Sequence, residues 1–284
     1  MIQGFYLVPK TVGTYNSEPM KTPRIDTRLV KNHLQGFLVG SLKEAGASRL
    51  VIGVSGGLDS ATAAFLAREA FGRDQVHALI LPYGRGQARD VADALEVCRR
   101  LRIPHRVIEL DPMIDAYFSR FPRAAARRRG NKMARERMSI LYDWAACHEG
   151  LVLGTSNRTE LLLGYFTKFG DGAADLEPLG GLYKCEVRQL ASDLGVPEKI
   201  LQKAPAAGLW KGQTDEKEIG LPYSVLDSLL HLWLDRGYDH RRLRAEGFSQ
   251  ETVRRVQGMV KRAEHKLRMP PCPSIRPKWR KTVA

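Results

Sequence analysis

Residues 50–60, LVIGVSGGLDS, decide how this chain is read: a β-branched apolar run stops at Ser55 and two glycines, and an alanine-rich segment, 59–71, follows. A short strand, a tight turn and a helix are the expected outcome. Adjacent glycines let the backbone turn sharply and expose N–H groups, and the start of the following helix adds partial positive charge. Together these make a nest for an anion, with the Ser55 and Ser60 hydroxyls as further donors. Asp59 would repel a bare phosphate, but it suits an oxygen ligand to Mg2+ that bridges phosphates. The pattern therefore predicts a site for a metal-bound polyphosphate. It is not the GxxxxGK[ST] loop, because no lysine follows the glycines.

Outward from this stretch the same alternation recurs. Residues 76–81, 106–110 and 151–153 are further strand candidates, and helical segments at 59–71 and 91–101 separate the first three strands. Strands buried on both faces and alternating with helices predict an α/β fold with a doubly wound, mainly parallel sheet, whose ligands bind at the carboxyl ends of the strands. Before the first strand, Ile25, Leu29, Val30, Leu34, Phe37, Leu38 and Leu42 form an amphipathic helical stripe closed by Gly46. Glycine and acids crowd residues 164–181, which read as a functional loop. A helix through Val187, Leu190, Ala191 and Leu194 follows, then an irregular stretch at 204–220 and helices near 223–234 and 250–266. Residues 1–22 read as an irregular arm and 269–284 as a Pro-rich basic tail, so 1–284 is expected to be one domain.

The chain has 284 residues, 43% of them hydrophobic and 27% charged, which excludes wholesale disorder. No apolar stretch approaches the roughly 20 residues that span a bilayer and the start lacks a signal-peptide profile, so a cytoplasmic location is expected. A net charge of +14 favours anionic ligands, nucleotides or nucleic acid. Cys98, Cys147, Cys185 and Cys272 lie far apart, without the spacing of a zinc site or a disulfide framework. Cys98 and Cys147 are expected to be small core residues.

The 55–60 motif resembles the pyrophosphate-binding loop of the N-type ATP pyrophosphatases, which split ATP into AMP and pyrophosphate while activating an oxygen as its adenylate. Within that superfamily, further blocks resemble the ammonia-dependent NAD synthetase family, in order: 130–138 (GNKMARERM), 153–160 (LGTSNRTE), 164–172 (GYFTKFGDG), 178–184 (PLGGLYK), 209–216 (LWKGQTDE) and the closing His265-Lys266. The resemblance covers roughly residues 25–273. It implies an adenine nucleotide alpha hydrolase-like, Rossmann-like fold and the ATP-dependent amidation of nicotinic acid adenine dinucleotide (deamido-NAD) to NAD.

Carried over by position, the resemblance implies that Gly53, Val54, Ser55, Gly56, Gly57, Leu58, Asp59 and Ser60 hold ATP, joined by Thr155 and Lys184, and that Asp59 and Glu160 ligate Mg2+. It places Arg135, Lys168, Asp175, His265 and Lys266 on the deamido substrate, whose pyrophosphate and carboxylate suit cations. Asp171, between Gly170 and Gly172, would attract ammonium and take its proton. With Asp59 and Lys184 it makes up the expected catalytic set. Two positions depart from the family: Ala206, where a Ser or Thr often contacts ATP, and Ile80, where some members have a basic residue that Arg85 could replace. The resemblance further implies a homodimer, with contacts expected near residues 25–45 and 124–149. About fifty residues without Cys precede the first strand, so no amidase domain is expected there and free ammonia is the expected donor. The alternatives are a tRNA-modifying pyrophosphatase, encouraged by the charge and the basic stretch 120–137, and a nucleic-acid-binding module with a vestigial loop.

Overall fold

Four strands, β1 (Arg49–Gly53), β2 (Val76–Ile80), β3 (His105–Val107) and β4 (Gly150–Leu153), pair in parallel in the order β3-β2-β1-β4. They come from a computed structural model that describes residues 22–210 and 212–274, without the side chain of Arg85. The expected arm up to residue 21 and the tail from residue 275 lie outside the described residues. Among the described residues the helices are α1 (Thr27–Glu44), α2 (Leu58–Phe71), α3 (Ala88–Leu101), α4 (Asp111–Phe118), α5 (Ala126–Cys147), α6 (Arg158–Leu163), α7 (Lys184–Asp193), α8 (Glu198–Leu201), α9 (Asp215–Ile219), α10 (Tyr223–Leu230), α11 (His240–Ala245) and α12 (Gln250–Ala263). None of them is long and apolar enough to cross a membrane.

The two-residue period of the strands sends side chains to both faces, and both faces are covered. Leu50, Ile52, Val76, Ala78, Ile80 and Leu153 pack with Leu38 of α1, Ala64 of α2, Val97 of α3 and Leu190 of α7. Val51, Leu79 and Val152 face the other way, onto Ile114 and Phe118 of α4 and Met133 and Leu141 of α5. A separate cluster joins Leu163 of α6 to Leu226 and Leu229 of α10, Leu243 of α11 and Val253 and Val256 of α12. The expected doubly wound architecture is therefore the observed one. From β1 the chain winds outward to β2 and β3, and later returns to place β4 on the other side of β1. The crevice between the carboxyl ends of β1 and β4 is thus the switch point at which such sheets bind ligands.

Several local expectations are corrected. The third strand is the edge segment His105–Val107, shorter than 106–110 and exposed throughout, because α4 starts at Asp111 with a proline in its first turn. The helix expected at 223–234 leaves α geometry after Leu230 and continues as a π-helical turn, His231–Asp235. The stretch 204–220, read as irregular, contains the short helix α9. Cys98 is buried as expected, but Cys147 is exposed: it closes α5 on the face turned away from the sheet.

Gly56 sits at φ +77°, and a Cβ there would collide with the carbonyl oxygen of Asp90 at the start of α3. Gly56→Ala combines left-handed strain of roughly 1–3 kcal/mol with a backbone clash. The expected result is a fall in Tm of at least about 5 °C, measured by thermal unfolding; an unchanged Tm would show that the loop can relax away from α3.

Candidate active site

The loop leaving β1 reaches α2 through Gly57, which caps the helix without any side-chain bond. The first turn of α2 thus keeps its N–H groups free of a capping side chain, as an anion nest requires. The hydroxyls of both serines also bond within the loop. Ser60 Oγ accepts from the Ser55 N–H (3.1 Å), donates to the Gly57 carbonyl (3.2 Å) and meets Ser55 Oγ at 3.0 Å, so it braces the loop from within. Lys203 Nζ donates to the Gly56 carbonyl (3.0 Å) and pairs with Asp90 and Asp93 of α3, tying the loop to that helix.

At the end of β4 the chain runs through Thr155 and Ser156 into α6. Asn157 Oδ1 accepts from the Glu160 N–H (3.0 Å) while Glu160 Oε2 accepts from the Asn157 N–H (3.2 Å), a capping box. Caps of this kind contribute about 1 kcal/mol. Here the box also sets the direction of Glu160. Asn157 Nδ2 donates to Asp59 Oδ1 (3.2 Å), which links the starts of α6 and α2.

Lys184, the first residue of α7, closes the arrangement. Its ammonium donates to Asp59 Oδ2 and, at 3.4 Å, to Glu160 Oε1, and it lies 5.1 Å from the centre of the Tyr223 ring. Tyr223 Oη donates toward Glu160 Oε1 (3.4 Å) and Asp215 Oδ2 (3.3 Å). Burial by itself would lower Lys184, but the charges of Asp59 and Glu160 outweigh it and hold the ammonium above its ordinary range. Burial raises Glu160 and Asp215, and the Lys184 charge opposes both shifts.

These groups border a cavity of about 300 Å³ whose wall includes Gly53, Val54, Ser55, Gly57, Leu58, Asp59, Ser60, Thr155, Glu160, Asp171 and Lys184. Gly56 stands behind that wall, against α3. Ala206 and Ile80 also line the cavity, so both departures from the family pattern fall on its surface. Asp171 Oδ1 accepts from the Thr167 N–H (2.8 Å), and enclosure by protein raises its carboxyl against the pull of that N–H and of Arg137.

The expected substrate residues stand outside this wall. Arg135 Nε donates to the Lys168 carbonyl (3.2 Å), Lys168 Nζ donates to the His265 carbonyl (2.7 Å), and Lys266 Nζ donates to the Gly164 and Phe166 carbonyls (2.6 and 2.8 Å). These four gather around the 164–168 loop. Asp175 is apart, holding the Val152 N–H (2.7 Å) and the Tyr142 hydroxyl (3.2 Å). Sequence reading missed Lys203, Gln87, Tyr165, Arg137 and Asp215 on the cavity wall. The last three lie inside the motif blocks 164–172, 130–138 and 209–216, whereas nothing local marks Lys203.

A family model described as NAD synthase matches residues 30–270. The chain belongs to the NAD synthase family. A relative named NH(3)-dependent NAD(+) synthetase, from Trichlorobacter lovleyi, is 46% identical over 251 residues, 88% of this chain and 92% of its own. Among solved structures, NMN synthetase from Francisella tularensis is similar with a TM-score of 0.79 and 38% identity, covering 88% of this chain and 100% of that one. NH3-dependent NAD synthetase from Campylobacter jejuni, in complex with the nitrate ion, gives 0.76 and 29% over the same shares.

Glu177 adds a titration that thermal unfolding can read. Its Oε2 accepts from the Ser156 N–H (3.0 Å), and its carboxyl occupies the space that a side chain at residue 154 would need. Burial, with the Glu160 charge adding to it, pushes Glu177 up to about 8 from an ordinary 4.5. The folded chain therefore holds this proton more tightly than the unfolded chain. The associated stability is fully present below about pH 4.5 and is lost as pH rises through about 8. Glu177→Gln should gain a few degrees in Tm relative to the parent between about pH 5 and about pH 8.5. A gap that does not change with pH would contradict the buried titration.

Proposed function

We propose that this member of the NAD synthase family joins ammonia to the pyridine carboxylate of deamido-NAD at the expense of ATP, giving NAD, AMP and pyrophosphate. The reading rests above all on the Lys184 ammonium, held between Asp59 and Glu160 at the mouth of an uncapped helix N-terminus, in a cavity whose wall Asp171 also reaches. It draws further support from the name of the Trichlorobacter lovleyi relative. In the first step a carboxylate oxygen attacks the α-phosphorus and the bond to pyrophosphate breaks. In the second, the nitrogen lone pair attacks the acyl carbon, AMP leaves, and the surplus proton passes to Asp171. The Gly57–Ser60 backbone and Lys184 meet the charge that builds on the phosphoryl oxygens and the departing pyrophosphate. Arg135, Lys168, Asp175, His265 and Lys266 hold the dinucleotide.

Asp59 and Glu160 fit a magnesium ion. Both are hard oxygen donors on one cavity wall, and among the described residues no third His, Cys, Asp or Glu joins them in a metal-binding group. Magnesium is commonly bound by one or two carboxylates together with substrate phosphates and water. When bound, it supplies charge neutralisation for the phosphates. The whole chain acts as one domain, in the cytoplasm, where ATP is at hand. It works as a homodimer through the outer face of α1, where Leu29, Phe37 and Val39 are exposed, with α5 as the second contact element.

Purified protein given Mg-ATP, deamido-NAD and ammonium should form NAD with equal amounts of AMP and pyrophosphate; absence of NAD would overturn the reading. The likeness to a structure named NMN synthetase favours a second substrate, nicotinic acid mononucleotide. The same assay with the mononucleotide should give the lower kcat/KM, and the reverse order would reassign the substrate. Asp59→Asn should lower turnover by about 10²-fold or more at saturating Mg-ATP, and an unchanged rate would remove Asp59 from the metal site. Sedimentation should give twice the chain mass, and a monomer would refute the dimer.

A further inference from the structure

Behind the cavity, one buried carboxylate joins the two helix starts that carry Glu160 and Lys184. Asp227 of α10 is 0% exposed, and both of its oxygens are used. Oδ1 accepts from the Thr159 hydroxyl at 2.6 Å, and Oδ2 accepts from the Cys185 N–H at 2.8 Å. Thr159 is also 0% exposed, and its Oγ1 accepts from the Lys184 N–H at 3.2 Å. The first two N–H groups of α7 are thus capped by Thr159, which immediately precedes Glu160, and by Asp227, on a helix that follows much later in the chain. Such donors have no partner within their own helix, and leaving a buried one unpaired forfeits its hydration with no bond in return.

The chemistry of the joint requires a carboxylate. Two donors converge on Asp227, and an ionised carboxylate offers acceptors only. An asparagine would satisfy one donor and turn its NH2 against the other. Asp227 does not line the ATP cavity; it acts on that wall through the backbone of α6 and α7 and through the attraction of its charge for Lys184. Asp171 is held separately, by the Thr167 N–H within its own loop.

We propose that Asp227 is a positioning residue for the adenylation half of the reaction: with Thr159 it locks the starts of α6 and α7 together and so fixes the Lys184 ammonium against Asp59 and Glu160. This rests on the function proposed above. Displacing a group by about 1 Å can cost about 10²-fold in rate, even when the change is remote from the chemistry. The ammonia step depends on a different loop and is not affected in the same way.

The test uses the full-length chain and measures exchange of labelled pyrophosphate into ATP, dependent on deamido-NAD, beside the KM for ammonium in NAD formation. Asp227→Asn should slow exchange about 10²-fold with the ammonium KM within about twofold of the parent. Thr159→Val should slow exchange about 10-fold, while Thr159→Ser, which keeps the hydroxyl, should exchange at nearly the parental rate. The double variant Asp227→Asn/Thr159→Val should be no slower than the worse single variant, because both break one joint. Circular dichroism and Tm identify any variant that fails to fold, and the threonine pair carries the test if Asp227→Asn does. Parental exchange in folded Asp227→Asn or in Thr159→Val, fully additive losses, or an equal effect on the ammonium KM would overturn the proposal. If the parent itself shows neither exchange nor NAD formation, the proposed function fails and this inference with it. Exchange in the parent with unaffected variants refutes the positioning role alone.

Discussion

An ammonium group held at 5% exposure cannot stand alone, and Lys184 imposes that condition on everything around it. Removing a charge from water costs several kcal/mol unless good partners repay it, and losing one partner of a buried pair commonly costs 3–5 kcal/mol. Lys184 therefore needs Asp59 and Glu160 together. Asp59 arrives on the first turn of α2, which begins where β1 ends, and Glu160 on the first turn of α6, just after β4. The two carboxylates meet because β1 and β4 are parallel neighbours, so both strands end on the same edge of the sheet. The strand order, the two tight connections and the entry of α7 together supply the partners that this one buried charge requires.

The charge balance is not closed by lysine. Asp59 and Glu160 share one ammonium with Asp215 close by, and burial, with the charges of neighbouring carboxylates added to it, raises Glu160 and Asp215. Under the function proposed above, such a site would favour a ligand that carries its own cation over a bare polyphosphate. The helix starts that present the carboxylates also present backbone N–H groups, so cation-seeking and anion-seeking groups stand side by side. The loop after β1 is stiffened from behind, through the hydroxyl of Ser60 and through Lys203 anchored on Asp90 and Asp93. In the reaction proposed above, such pre-organisation would keep donors aimed where charge develops and spare reorganisation.

Much of this was legible from local pattern. The run at 50–54 with its glycines announced a strand, a turn and a helix start, and the alternation along the chain announced a parallel sheet. The motif blocks supplied Glu160, Lys184 and Asp171 by position. Side-chain direction was not legible. That the Ser60 hydroxyl also bonds to the Gly57 carbonyl within the loop carried no sign in the sequence. Cys147 looked like a core residue, yet it ends α5 on the outer face. Lys203 carried no mark at all, because its partners are a carbonyl in one loop and two carboxylates on a distant helix.

Period and turn chemistry act within a few residues of one another, so the sequence by itself determined the elements, the tight glycine turn after β1, the two-sided burial of the sheet and the family to which the chain belongs. Only the tertiary structure decided which charges share a partner. Asp59 and Lys184 are 125 residues apart and Thr159 and Asp227 are 68 apart, and no spacing rule links them. Their pairing follows from the order in which the strands lie side by side and from the cost of leaving a buried charge or N–H unpaired once they do.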